Sequence, residues 1–357
     1  MRRLFTILIA LALIASACGD DDTTATTTTA AAAAATTTVP GDPFEGQVLT
    51  IRQAAIRALP NLPQILAPDS PYAEEFGIEI IDVPVSTPTD YVTGLGRGDL
   101  NVVPGTPSIA IAGRDSGVQL VNVAAGSHEF TQFMIRKDMN IAEGDWDAFK
   151  AAVDAGKASG NLIKMGGVLA ASTNYVLCYD TLVAKGIDPE TDIEVVNLPI
   201  FPEHPGALER GEVDMLCSTE PFNTFVWDRD IGTFLDTPFE TEAGDILGAL
   251  ISTDRDLQDP ERREALKRWM RVVIAIMEDL EADPSIARQW IMDTMELDEE
   301  AANRMLDFAY WDPPSNLDHL AALANGHFRL GQTEIDWSTR MDDWTDDTLL
   351  AEILAEG

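Results

Sequence analysis

Two short stretches of this chain carry hydroxyls where a predicted strand gives way to a predicted helix. Pro104-Gly105-Thr106-Pro107-Ser108 is one, and Gly166 through Asn174, ending in Ser172-Thr173-Asn174, is the other. A helix start leaves backbone N–H groups unpaired beside the positive end of the helix dipole, so it can seat a carboxylate, sulfonate, phosphate or carbonyl oxygen. The competing reading is local: Ser172 caps its own helix, and the Pro-Gly run is a rigid turn with its own cap. Thr106 and Ser108 on one side, with Ser172, Thr173 and Asn174 on the other, are candidate ligand contacts. Arg57 and Asn61, in the loop after the first strand, are weaker candidates, because an arginine there more often ends in a surface ion pair. His128, Phe130, Phe201 and His204 fall at a crossover or near strand ends and serve either as aromatic walls or as core.

Other chemistries find no support in the pattern. There is no G-x-x-x-x-G-K-[ST], no G-x-S-x-G, no H-E-x-x-H and no Cys/His cluster, so neither catalysis, a cofactor nor a metal is expected. His319 and His327, on a late helix, have no metal-ligand spacing and read as structural. Apart from Cys18 the cysteines are Cys178 and Cys217. An oxidising compartment permits them to pair, one on a predicted helix and the other at the end of a predicted strand.

The elements that must position these residues alternate. Strands are expected at 48–51, 78–83, 118–124, 162–165, 193–198 and 213–218, with helices between them, and the chain is extended again at 130–135 and 246–252. Such alternation predicts an α/β protein with a largely parallel sheet covered on both faces. After residue 252 the pattern turns helical, with 260–281, 284–295, 298–308 and 317–330 punctuated by prolines at helix starts. The 47–357 stretch exceeds the size at which one core usually keeps growing, so two lobes are expected.

The first residues read as an address. Arg2 and Arg3 precede a short apolar run, Leu4 to Ala17, which is an export signal rather than a membrane span. Ala15-Ser16-Ala17-Cys18 resembles the bacterial lipobox, with Ala15 where leucine is commoner, and implies lipidation at Cys18. Residues 18–46, rich in Thr and Ala, read as a tether. The sequence carries 24 basic and 60 acidic residues, a net charge of −36. That balance argues against nucleic acid and against adsorption to an anionic lipid surface, and leaves a solvated acidic coat.

Leu208-Glu209-Arg210-Gly211-Glu212-Val213-Asp214, followed by Cys217-Ser218-Thr219-Glu220-Pro221-Phe222, is the most specific run in the chain. It resembles the "aaLekGevDa…eP" signature of the ABC-type nitrate, sulfonate and taurine binding proteins, a group that includes thiamine-pyrimidine precursor binders. Leu95-Gly96-Arg97-Gly98-Asp99-Leu100, Lys185-Gly186-Ile187-Asp188-Pro189 and Gly331-Gln332-Thr333-Glu334-Ile335-Asp336 resemble other turns of that family, whereas 57–68 departs from it. The resemblance implies a type II periplasmic-binding fold: two lobes with mixed, mostly parallel sheets, two crossovers near 127–136 and 237–252, and a helical C-terminal part. Lobe 1 would comprise 47–128 and 245–357, and lobe 2 would comprise 129–244. It adds Glu220 and Phe222 as a wall of the site. It further implies a monomer, lipid-anchored outside the cytoplasm, that hands a small solute to an ABC permease with a cytoplasmic ATPase. Alternatives within the same likeness are a pyrimidine or other heterocycle binder, a ligand-sensing receptor subunit, and a thiamine-pyrimidine biosynthetic enzyme. The enzymes of that kind carry a CCCFC motif that this chain lacks.

Overall fold

The computed structural model describes residues 43–85, 87–167, 171–198 and 200–356. The export segment, Cys18 and most of the expected tether therefore lie outside the described residues. The tether expected to reach residue 46 ends sooner, because Phe44 packs against a core cluster and its carbonyl accepts from Arg268 at 3.0 Å.

The first part of the chain runs β1 (Leu49–Gln53), α1 (Leu62–Leu66), α2 (Pro71–Glu75), β2 (Ile78–Asp82), α3 (Pro88–Arg97), β3 (Val103–Gly105), α4 (Pro107–Asp115) and β4 (Leu120–Glu129). It crosses into β5 (Thr131–Arg136), α5 (Trp146–Ser159), β6 (Ile163–Gly166), α6 (Thr173–Ala184), β7 (Ile193–Val195), α7 (His204–Glu209), β8 (Met215–Thr219), α8 (Phe222–Asp228) and β9 (Gly232–Asp236). It returns through β10 (Ile246–Thr253), α9 (Asp254–Gln258), α10 (Pro260–Ala282), α11 (Ser285–Met295), α12 (Glu299–Leu306), β11 (Ala309–Tyr310), α13 (Leu317–Arg329) and α14 (Thr348–Glu356).

Two sheet systems result. One has the order β11-β4-β10-β3, extended by the pair β1-β2 through a parallel bridge between Gln53 and Val102. The other has the order β7-β6-β8-β5-β9 and draws all its strands from 131–236. We call the first system with its helices the outer lobe, and the second the inner lobe. The alternation of strands and helices predicts mostly parallel pairing, but among the described pairs three are parallel and five antiparallel. The crossing strands cause four of the five, since β5 and β10 enter their sheets from the other lobe and run against every strand they pair with; the fifth is the short β11 against β4. The fourth strand is also longer than the expected 118–124, because its residues stay buried through His128 up to the crossover.

Local chemistry sets the elements. β1 alternates buried and exposed residues as a half-covered strand should, while β10 is buried along its whole length. Thr87 and Asp90 close a capping box on α3, and Asp259 accepts from two backbone N–H groups ahead of Pro260 to open α10. Trp269 of α10 lies in the outer-lobe core, and its indole donates to Gln53 at 2.7 Å, tying that long helix to β1. Cys178 on α6 and Cys217 on β8 form a disulfide inside the inner lobe, with Cα atoms 6.4 Å apart. Among the described residues, no helix is long and apolar enough to cross a membrane.

Candidate functional site

Two helix starts come into contact where the lobes touch. α4 opens at Pro107 after Thr106, whose side chain makes no capping bond, and Ser108 stands in its first turn. α6 opens at Thr173 after Ser172, whose hydroxyl accepts from the Tyr175 N–H at 3.2 Å. Ser172 therefore spends its oxygen on its own helix, the local reading of that residue. Thr173 is free of that duty, and its Oγ1 lies 2.7 Å from the Ser108 Oγ across the lobe boundary. Neither helix has an acidic residue in its first turn, so the two positive dipole ends come together without a local counter-charge from those turns.

A third residue joins them from the late helical region. The Nε2 of His327, on α13, is 2.6 Å from the same Ser108 Oγ, and its Nδ1 is 2.6 Å from the Gln332 Oε1. Sequence reading treats His327 as structural, because nothing local marks it. The signal is tertiary: α13 approaches α6 so closely that a Cβ on Gly326 would stand 2.4 Å from a Val176 methyl, and glycine alone permits that approach. Gln332 lies in the late turn picked out by resemblance, so that turn now has a chemical partner. Burial pushes the His327 imidazole below its ordinary range, against the hydrogen bond to Gln332.

Asn174, next on α6, accepts from the Thr131 hydroxyl at 3.2 Å, which ties the helix start to the crossover. Beside it, Gln132 on β5 donates to Glu220 Oε1 at 2.8 Å, the Thr224 N–H donates to Oε2 at 3.1 Å, and the Glu220 N–H donates to the Phe130 carbonyl at 2.9 Å. Glu220 is 2% exposed, and burial pushes its carboxyl up to about 7, against hydrogen bonds from Thr224 and Gln132 and the charge of Arg304. Close to neutrality this carboxyl is divided between acid and carboxylate.

The predicted aromatic walls separate into two kinds. Phe201 and Phe222 are partly exposed and stack with ring centroids 5.9 Å apart, with His204 beneath them at 5.1 and 6.1 Å. His204 is buried between Ser218 Oγ, 2.7 Å from its Nδ1, and the Leu198 carbonyl, 3.0 Å from its Nε2. A carbonyl only accepts, so Nε2 carries the hydrogen and Nδ1 accepts from the serine. Burial lowers the affinity of this ring for a second proton. Phe130 is core instead, wholly buried and edge-on to Trp311 at 5.7 Å. His128 stacks on Tyr310 at 4.8 Å and faces Asp245 at 3.6 Å, which places it at the joint between lobes.

The structure does not bring Arg57 and Asn61 into this group of contacts. Arg57 is exposed, where its charge acts on Asp82, and Asn61 donates to the Ile56 carbonyl at 2.8 Å and so closes its own loop. Residues 168–170 of the Gly166–Asn174 loop lie outside the described residues. Gly167, at φ +91°, runs against the Cys217 backbone, where a Cβ would meet the carbonyl oxygen at 2.7 Å. Among the described residues, no group of three or more His, Cys, Asp or Glu could hold a metal ion.

This fold is shared with solved binding proteins. A nitrate-binding protein NrtA from Synechocystis PCC 6803 superposes with a TM-score of 0.69 at 14% identity, over 87% of this chain and 89% of that one. An alkanesulfonate-binding protein SsuA from Xanthomonas axonopodis pv. citri, bound to MOPS, gives 0.65 at 14% identity, over 84% and 99%. A ligand-binding component of an ABC-type import system from Staphylococcus aureus gives 0.68 at 12% identity, over 85% and 99%. Identities this low carry the fold alone, and that fold is the periplasmic-binding one. In sequence, 83 residues are 32% identical to the nitrate/nitrite binding protein NrtA of Synechococcus elongatus, a stretch that is 23% of this chain and 18% of that protein. The chain thus spans less than a fifth of that relative. The profile of the NMT1-like family matches residues 47–244, more than half the chain, from β1 through the signature run and Glu220 to the return crossover, and the chain belongs to that family.

Proposed function

We propose that this protein is the extracytoplasmic solute-binding subunit of an ABC-type importer, that it performs no turnover, and that it takes a small anion or small organic solute between the starts of α4 and α6. The observation that carries the reading is the 2.7 Å contact between Ser108 and Thr173, which sets two helix N-termini toward each other across the lobe boundary. An oxyanion held beside that contact would meet unpaired N–H groups and two positive dipole ends. Binding would then favour the arrangement in which the lobes meet, and a permease would read that arrangement. The stacked pair Phe201 and Phe222 favours a second reading, in which the solute carries a flat heterocycle. Lipidation at Cys18, a monomeric state and a permease with its ATPase belong to the same proposal.

A thermal-shift screen of the soluble body against nitrate, methanesulfonate, taurine and pyrimidines tests it, since a ligand at 100 times its Kd stabilises the fold by about 2.7 kcal/mol. We expect an anion to raise Tm and the pair Ser108→Ala with Thr173→Val to abolish the rise. A rise that survives the double variant would remove the site from this boundary. Loss of membrane retention in Cys18→Ser would support the anchor, and retention would refute it.

A further inference from the structure

The contacts at the lobe boundary have a direction. Gln332 Oε1 accepts, so the hydrogen of His327 is on Nδ1 and its Nε2 is a bare lone pair. Ser108 must then donate its hydrogen to His327, and its oxygen can only accept from Thr173. Followed to its end, the chain leaves the Thr173 oxygen with lone pairs alone for whatever stands beyond it. That is the wrong polarity for an anion. One proton on Nε2 reverses two bonds and leaves the one to Gln332 as it is: Nε2–H donates to Ser108, Ser108 donates to Thr173, and the Thr173 hydrogen is released toward the ligand.

We propose that His327 is a positioning residue that sets the direction of this hydroxyl chain, so that capture of an anion at the boundary takes up one proton from solvent at its Nε2. The proposal rests on the anion reading of the site. Burial disfavours the imidazolium, and an anion held beside the two helix starts supplies the missing counter-charge. Proton and anion then bind with mutual help, and each raises the affinity for the other by the same factor.

Several charged and titratable groups on the surrounding elements have partners elsewhere. On α13, Arg329 pairs with Asp180 of α6 at 2.5 Å, and His319 faces Asp245 at 3.8 Å. On α4, Asp115 accepts from the Glu334 and Ile335 N–H groups and from the Trp337 indole, and Arg114 pairs with Asp254. Tyr175 and Tyr179 of α6 stack on one another, Asp336 accepts from Ser338, and Arg340 pairs with Asp343. The burial of the ring and its contact with Gln332 are what set its protonation.

Nitrogen NMR of ring-labelled protein reads the direction without any ligand, since the chain has only four histidines and Gln332→Glu identifies one of them by its shift. We expect His327 as the Nδ1–H form at pH 7.5, and the Nε2–H form would overturn the proposal. Calorimetry with nitrate and with methanesulfonate at pH 5.5 and 7.5, in buffers of different ionisation enthalpy, reads the coupling. Uptake approaching one proton per anion should strengthen binding by up to about tenfold per pH unit lowered. His327→Gln should bind without pH dependence. Should that variant fail to fold, Gln332→Glu sets a carboxylate against Nδ1 and should move the pH profile upward; a downward move overturns the proposal. Anion binding without proton uptake sinks this inference alone, whereas no binding of either anion at either pH sinks the anion site and the proton step together.

Discussion

His204 with Ser218 and His327 with Ser108 make the same short contact, at 2.7 and 2.6 Å, in two regions of the molecule. Inside the inner lobe the far nitrogen of His204 meets a backbone carbonyl, and both members of the pair sit on elements of one sheet system. At the boundary the far nitrogen of His327 meets a side-chain amide, and the serine passes the contact on to Thr173 of the other lobe. The chemistry of the pair is identical; what lies beyond the serine decides the role. Among the described residues, Ser218 hands its contact to nothing in the other lobe, so the first pair is a fixed pin. The second is a joint: the Ser108–Thr173 contact continues it across the lobe boundary, and a proton on Nε2 would reverse its direction.

Four substitutions test that division, with interior changes expected in stability and boundary changes in ligand affinity. The largest should come from the disulfide. Replacing Cys178 and Cys217 by alanine opens a link across 39 residues, and the chain-entropy argument gives a loss of about 4 kcal/mol in denaturant unfolding. An equal loss in anion affinity would break the comparison.

Glu220 comes next. Its carboxyl ionises at an ordinary 4.5 when unfolded and at about 7 when folded, so the folded form binds the extra proton between those values. Stability from this group is whole below pH 4.5 and is lost as pH rises through 7, by about 3 kcal/mol in all. Glu220→Gln should remove that slope when unfolding is followed from pH 4.5 to 8. A slope unchanged by the substitution would mean that Glu220 is not the group responsible.

His204→Phe, which strands the Leu198 carbonyl and the Ser218 hydroxyl, should cost about 2 kcal/mol of stability. Its effect on anion affinity should be small; a large one would make the pin part of the joint. Thr173→Val should do the reverse. It keeps the shape of the side chain, should leave the unfolding midpoint nearly in place, and should weaken anion binding about fivefold, or about 1 kcal/mol, by calorimetry.

How far the sequence spoke depended on how local each cause was. Ser172 capping α6 and α4 opening at Pro107 are decided within three residues, and both were legible as helix starts. Most strands were legible as elements, with β9 and β11 the exceptions, but their pairing was not, because the direction of β5 and β10 is set by which lobe the chain comes from. His327 was invisible as a site residue: it reaches Ser108 across 219 positions, through a close helix approach that depends on Gly326. Glu220 was marked by resemblance, yet its raised affinity for a proton comes from burial that no local pattern announces. Arg57 and Asn61 looked suitable by type, and local geometry directed one to the surface and the other to its own loop.

β4 and β10 lie side by side as they approach the lobe boundary, with Ile246 opposite His128. The chain therefore leaves the outer lobe and comes back to it through two adjacent strands, like a gate hung on two pins set one above the other. Such a gate can swing about the line through its pins but cannot spin about either of them. Ser108 and Thr173 would then return to the same register at every closing, and a hydroxyl chain that depends on distances below 3 Å can be remade each time.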